Sequence, residues 1–458
     1  MKKSIILITV LVFLLGFAAA AFAVQADIPA TTPVVASGST HIKLSGSLRV
    51  RGWYLGNQSG VGAQDTTTVT EPAKNTDGAY YDERVRLNMD VNSGPVSGRV
   101  SLESNAGNED TWAWGQGLNT KPTDLYIREA WINYSGSELL GVPAGIKIGH
   151  QPLALGPANL FFDNTKYGDD ALVLYANPTP KSTAMLLTFK PFENSIYQSN
   201  DDLDGYVGVF DGVWSGQTLG IDYTYLHQSG ASAPAGDSQF PGLSFSNVEL
   251  FAKGSINGIG YLGQLDYQFG HIENYGTTDL HAHGYAIWLG ANKAVSSANL
   301  RAAFAYGSGA SSNDNGSQLV SFLSPHKQYF TLVYGYTLED AGLGGLSFND
   351  GRDDGVDNTM LLNLGADYSA TPKLTLSGDF YWLHANSTYG FADVINGGNA
   401  SKDIGEEVDV KGAYHITKNL TYFADAGVLF AGNFYKDRFG ETANTTPFTL
   451  MHGLELSF

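Results

Sequence analysis

The 458-residue sequence predicts an all-β protein, a transmembrane antiparallel up-and-down β-barrel of about eighteen strands. Three observations predict it. Apolar and polar residues alternate along most of the chain, the period of a strand with one apolar and one wet face. The connections between these runs are short and long in turn, the asymmetry of a barrel with tight periplasmic turns and long extracellular loops. After the first two dozen residues no apolar run is long enough for a transmembrane helix, so membrane residence has to be by strands.

At the start of the chain, Lys2 and Lys3 precede an apolar run from Ile5 to Ala21, and Ala21-Phe22-Ala23 supplies a small-x-small cleavage site. Residues 1–23 therefore read as a secretory signal peptide and are set aside from the fold. Residues 24–40, rich in Pro, Ala, Ser and Thr, read as a flexible periplasmic lead-in. The barrel is expected over 41–458, in the outer membrane of a Gram-negative cell.

From His41 to Tyr54, Ile42, Leu44, Leu48, Val50 and Tyr54 share one face while Lys43, Ser45, Ser47, Arg49 and Arg51 share the other. Between Tyr80 and Asn92, Tyr81, Val85, Leu87, Met89 and Val91 oppose Asp82, Arg84, Arg86, Asn88 and Asp90. Comparable runs follow near 96–104, 125–134, 144–150, 171–176, 182–190, 206–214, 218–226, 248–256, 259–269, 282–292, 298–307, 359–369, 374–384, 404–414, 420–430 and 447–458. In the last run Phe448, Leu450, Leu454, Leu456 and Phe458 share a face. A soluble protein would expose that strand as a hazardous edge, whereas a barrel closes it against the first strand.

Turn residues fall at Asn92-Ser93-Gly94-Pro95, Leu140–Pro143, Asn177–Pro180, Ser215-Gly216, Asn257-Gly258, Val295–Ala298, Ala370–Pro372 and Thr417–Asn419. Long connections lie between them, and a soluble β-sandwich has no reason to alternate so. Tyr329–Tyr336 has a strand-like pattern as well. Counting it would make the total odd and place Thr371-Pro372 at the wrong rim, so it is assigned to the interior of a long 308–358 loop, folded inward or packed on the rim.

Composition agrees. Tyr 25, Phe 24 and Trp 7 suit interfacial girdles, and Gly 55 suits many strands joined by turns. The mean hydropathy of -0.12 is near neutral because half of each membrane strand faces water. With Cys 0 there is no disulfide framework and no thiolate metal site, and a net charge of -19 argues against nucleic-acid binding.

Ile127–Tyr134 (IREAWINY), Ile146–Leu155 (IKIGHQPLAL), Phe322–Lys327 (FLSPHK) and above all Gly405–Phe434 resemble the alginate export family of outer-membrane barrels and related porins. That resemblance implies an eighteen-stranded barrel, in agreement with the count above. The ending also resembles the terminal strand of outer-membrane proteins, which implies that Phe458 is an assembly signal read by the barrel assembly machinery. The implied surroundings are outer-membrane lipid and lipopolysaccharide outside and small hydrophilic solutes inside. The sequence departs from the family in one respect: the Arg-lined track expected for a uronic-acid polymer occurs only on the early strands.

Alternation places Lys43, Arg49, Arg51, Arg84, Arg86, Arg99 and Lys147 on the inner face early in the chain. Asp367, Asp379, Glu407, Asp409 and Asp425 follow late, with Lys411 among them. Apart from Lys411, these twelve ions are the candidate pore lining, a basic wall and an acidic wall across which a field would select solutes by sign. The bland reading is that they are solvated or pair with one another. Arg128 and Glu129 are adjacent, so both face inward only if the strand is bulged or lies near the rim.

Asp350, Asp353 and Asp354 are weak calcium candidates, as is the Asp201–Asp204 stretch, since neither segment completes an EF-hand. His281 and His283 share a face but lack a third ligand. No cofactor is expected, and no nucleophile motif supports an enzyme. The leading expectation is a porin for passive diffusion of small hydrophilic solutes. A channel selective for acidic saccharides comes second and a barrel sheathing a partner protein third; homo-oligomerisation is left open.

Overall fold

In the computed structural model the described residues are 34–37, 39–57, 78–105, 112–114, 124–137, 141–192, 202–228, 242–275, 278–309, 318–319, 322, 330–337, 356–389, 393, 395–440 and 446–458. Among them eighteen long strands pair antiparallel in chain order. They are β1 (Thr40–Gly56), β2 (Gly78–Ser93), β3 (Val96–Asn105), β4 (Asp124–Gly136), β5 (Ala144–Gln151), β6 (Asp169–Thr179), β7 (Ser182–Phe192), β8 (Leu203–Trp214) and β9 (Gln217–Gln228). The ring continues with β10 (Gly242–Ile256), β11 (Ile259–Tyr275), β12 (Tyr285–Val295), β13 (Ala298–Gly307), β14 (Thr359–Thr371), β15 (Leu374–Ala385), β16 (Asp403–His415), β17 (Leu420–Ala431) and β18 (Phe448–Ser457).

β18 closes on β1 with Ser47 opposite Ser457 and Gly56 opposite Phe448. The seam extends one residue further, where Gly46 N–H donates to the Phe458 carbonyl at 2.8 Å and Phe458 N–H returns the bond at 3.0 Å. Gly46 is required there because a Cβ would run into the Phe458 ring. The closed ladder leaves no long edge, as the hydrocarbon of a bilayer demands.

At one rim the connections are tight. Ser215-Gly216 and Asn257-Gly258 both place two successive residues at positive φ, 51° and 81° in the first and 53° and 74° in the second. That is the two-residue turn whose twist matches antiparallel strands, and glycine adopts its second position without a Cβ clash. Leu44, Leu87, Ile132, Leu174, Leu186, Phe210, Leu250, Leu289 and Leu364 project outward and are exposed. Near the loop rim, outward tyrosines stack as Tyr206–Tyr225 and Tyr285–Tyr306, while Trp214, Tyr368 and Phe458 mark the turn rim. An apolar band between two aromatic belts is the outer surface of a membrane barrel.

Several expectations change. The lead-in is not wholly free of structure: Val34–Ser37 pairs with Thr40–Lys43 on the stretch of β1 that projects beyond the closing strand. β10 and β11 run further toward the loop rim than 248–256 and 259–269, and β12 begins at Tyr285 rather than 282. Over Gly242–Asn247 the apolar Leu243 and Phe245 face inward, while Ser244 and Ser246 face outward against the Tyr225 and Tyr223 hydroxyls. There the inside is apolar, so the alternation inverts and a search for outward apolar residues stops short. The signal peptide and the calcium candidates Asp350, Asp353 and Asp354 lie outside the described residues.

The interior is not an open cylinder. The 152–168 connection folds as a hairpin, with Leu155 N–H donating to the Phe162 carbonyl at 3.0 Å and Asn164 N–H to the Leu153 carbonyl at 2.8 Å. Its Leu160, Phe161 and Phe162 are fully buried. Phe161 stacks on Phe245 of β10 and Phe162 meets Phe189 of β7 edge-on, with ring centroids 5.9 Å and 4.9 Å apart. Each such side chain contributes about 1.5–3 kcal/mol to holding the hairpin inward. A short helix, α1 (Asn433–Phe439), buries Phe434 and Tyr435 at the loop end of β16.

The strand-like segment at 329–336 is not a barrel strand. Its described part contains a π-helical turn, Leu332–Thr337, folded into the bore. Phe330 stacks on Trp288 of β12 at 5.1 Å and Tyr336 on Trp53 of β1 at 5.7 Å, so the segment lies across the interior between two walls.

Candidate functional site

The inner face of β1–β5 carries the seven basic residues marked by alternation, and it carries carboxylates among them. Arg51 and Asp82 are cross-strand partners, with Arg51 Nε donating to Asp82 Oδ1 at 2.8 Å and Nη2 to Oδ2 at 2.7 Å. Trp53 Nε1 also donates to Asp82 at 2.9 Å, and the Arg51 guanidinium lies 4.7 Å from the Trp53 ring centroid. Such a two-pronged, buried pair fixes both side chains.

One strand along, Arg86 forks onto Glu103, and Arg99 donates to Asp90 at 2.6 Å while its Nη1 stands 3.5 Å from Glu129. Arg84 approaches Glu455 of β18 at 3.8 Å. Arg49 occupies the register position between Arg84 and Glu455, and Lys43 lies opposite Asp90. Lys147 sits over the Trp131 ring at 4.2 Å. These basic side chains lie on β1, β2, β3 and β5, with acids interleaved.

Arg128 and Glu129 both join this face. The β3–β4 register shifts between Ser101 and Leu102, which face Glu129 and Ile127, so Arg128 is the extra residue of a bulge. The bulge turns Arg128 toward Glu129, with Nη1 to Oε1 at 2.8 Å, and toward Glu103, with Nε to Oε2 at 3.4 Å. Arg128 Nε also donates to the Lys166 carbonyl at 3.2 Å, tying the inward hairpin's return strand to the basic wall.

The late strands place their acids differently. Asp367 and Asp379 both pair with Arg301 of β13, each at 3.0 Å. Glu407 and Asp409 are fully buried and bind backbone: Leu332 N–H donates to Asp409 at 3.0 Å, and Val333 and Tyr334 N–H donate to Glu407 at 2.6 Å and 2.8 Å. These two carboxylates therefore hold the inward turn. Asp425 faces Lys411 across the β16–β17 ladder.

A purely basic wall facing a purely acidic one is therefore not what the barrel contains. Asp82, Asp90, Glu103, Glu129 and Arg301 sit on the same faces, and simple alternation within the expected strands places them there, Glu129 in step with Trp131 and Asn133. Arg128 is the residue that needs the bulge to face inward. In the Asp-rich loop, Asp202 and Asp204 lie 2.8 Å and 3.7 Å from Lys190 Nζ. His281 lies opposite His271 in a short strand, Thr278–Ala282, at the loop rim. Among the described residues no group of three or more His, Asp or Glu is arranged to hold a metal ion.

The family model described as alginate export matches residues 72–448. No curated protein matches the chain in sequence. Among solved structures, OccK2 (OpdF) of Pseudomonas aeruginosa aligns with a TM-score of 0.52 at 10% identity, covering 91% of this chain and 98% of that one. OccK11 (OpdR) of the same organism aligns at 0.49 and 11% identity, over 91% and 96% of the two chains. An anion-selective porin from Comamonas acidovorans aligns at 0.47 and 10% identity, over 92% and 100%. At such identities the likeness is one of fold.

Proposed function

Because this chain belongs to the alginate export family and forms a porin-type barrel of the bacterial outer membrane, we propose that it passes small hydrophilic solutes and ions by passive diffusion, favouring anionic ones. The observation that carries this reading is the strip of Lys43, Arg49, Arg51, Arg84, Arg86, Arg99 and Lys147 on the inner face of β1–β5. The hairpin at 152–168 packs on β7, β10 and β11, and the turn at 332–337 on β16 and β1. Guanidinium groups are concentrated on β1–β4, and a wall of one predominant sign raises the local concentration of the opposite ion.

Channel and export barrels of this family are not enzymes, and no catalytic role is assigned to any residue. Lipid contacts the outward apolar band. The assembly machinery is assigned as the reader of Phe458. Glu407 and Asp409 on β16 serve as scaffold for the inward turn more than as selectivity groups.

A second reading is favoured by the same strip: Arg forks recognise carboxylates in two-pronged fashion, so acidic saccharides are natural cargo. The test is single-channel recording in planar bilayers on refolded protein starting at Val24, with uronic-acid oligomers then added to either side. An open channel indifferent to oligomer supports the general porin. Concentration-dependent block supports the saccharide channel, and absence of any conductance contradicts both.

A further inference from the structure

The inner faces of β9, β10 and β11 hold a different arrangement of charge. Asp222, Glu249 and Asp266 stand at directly paired register positions on the three strands and are all buried. The charges that face Asp222 and Glu249 are themselves acidic, Asp211 and Asp266 among them. Like charges directly opposite on neighbouring strands repel, and burial strengthens the repulsion.

Asp266 is provided for, since Asn247 Nδ2 and Gln264 Nε2 donate to its two oxygens at 2.8 Å and 2.9 Å. The others are not. Asp222 Oδ1, both Glu249 oxygens and Asn247 Oδ1 are buried acceptors with no hydrogen-bond donor. Asp222 and Glu249 are 4% and 1% exposed and Asn247 is 2% exposed. Buried acceptors without donors are rare, because each costs its full desolvation. Four of them on two adjacent strands, all oxygen and three of them from two carboxylates, form the ligand chemistry of a hard cation.

The tip of the inward hairpin covers the same place. Gly156 has φ 70°, its backbone donates to Asp222, and a Cβ on it would collide with the Glu249 carboxylate. Two residues on, Ala158 N–H donates to Gln264 Oε1 at 2.7 Å. We propose that Asp222, Glu249 and the Asn247 carbonyl oxygen bind one divalent cation of the calcium class, with water completing the shell, and that the ion fastens the 152–168 hairpin against the barrel wall. Asp266 is a neighbour that orients Asn247 and Gln264, not a ligand.

Calcium titration calorimetry on the full barrel, refolded in detergent without lipopolysaccharide and stripped with EDTA, tests this. Wild type should bind calcium, and both Glu249→Gln and Asp222→Asn should lose one equivalent or weaken it on the order of tenfold or more. Calcium should also slow protease cleavage within 152–168 in wild type and not in either variant. Identical isotherms for wild type and both variants, with calcium held only elsewhere on the chain, would overturn the proposal. Where either variant fails to refold, Asn247→Asp replaces it; the added ligand charge should tighten binding, and an unchanged isotherm overturns the proposal equally.

Discussion

The β1–β4 wall and the β9–β11 wall are built on the same antiparallel ladder and both bury ionisable groups on the inner face, yet they solve the problem of buried charge in opposite ways. On β1–β4 the two signs meet across the ladder, Arg51 with Asp82, Arg86 with Glu103 and Arg99 with Asp90. On β9–β11 only acids and amides face inward at that level, and a hairpin closes over them. Pairing along the first wall holds its side chains in fixed positions, with Arg51, Asp82 and Glu103 buried and Arg86 and Arg99 partly exposed. The second wall is sealed, and its polarity serves the hairpin instead of the solute.

The largest expected effect comes from undoing the seal. Replacing Phe161 and Phe162 together by Ala removes two fully buried rings, each worth about 3–5 kcal/mol in a well-packed site. The hairpin should undock, and single-channel conductance should rise while the barrel still shows heat-modifiable migration on gels. Unchanged conductance would mean that the hairpin does not narrow the path.

Next comes the deepest pair of the other wall. Arg51→Ala leaves Asp82 buried without its counter-charge, at a cost of about 3–5 kcal/mol, read as a lower urea midpoint in lipid vesicles. Replacing both residues by apolar ones of similar volume should recover most of that loss. If the double variant is no better than the single, the pair is not the unit of stability on this wall.

Smaller effects separate strip from scaffold. Gln at Arg49, Arg84 and Arg86 should shift reversal potential toward cations. Arg301→Gln removes one positive charge from the opposite side, where it is half-exposed and bridges Asp367 and Asp379. Its effect on stability should fall within about 0.2–1 kcal/mol, and its effect on selectivity should be smaller than that of the strip variant. An equal or larger selectivity shift from Arg301→Gln would place the selective region on the acidic side.

Much of this barrel was legible in the chain. Strand number, the order of tight and long connections and closure at Phe458 followed from alternation and turn residues, and the exclusion of 329–336 from the barrel followed from the even count; that the segment lies inward and not on the rim did not. What was illegible lies where the inner face stops being polar. Leu243 and Phe245 look like lipid-facing residues until the hairpin that covers them is known, and Leu160–Phe162 carry no mark of folding inward. The basic strip is visible residue by residue, and its interleaved acids Asp82, Asp90 and Glu103 share the same alternating face. Arg128 needed a bulge that no local residue pattern announces. Glu407 and Asp409 read as pore lining by position, whereas their partners are backbone N–H groups more than seventy residues away in the chain.

The central claim is that the β1–β5 strip sets what passes. Its most direct test is the reversal potential of single channels across a KCl gradient, for wild type and for the variant with Gln at Arg49, Arg84 and Arg86. The account predicts an anion-preferring wild type whose preference falls or reverses in the variant, with the channel still open. A cation-preferring wild type, or a variant with the same reversal potential as wild type, would contradict it.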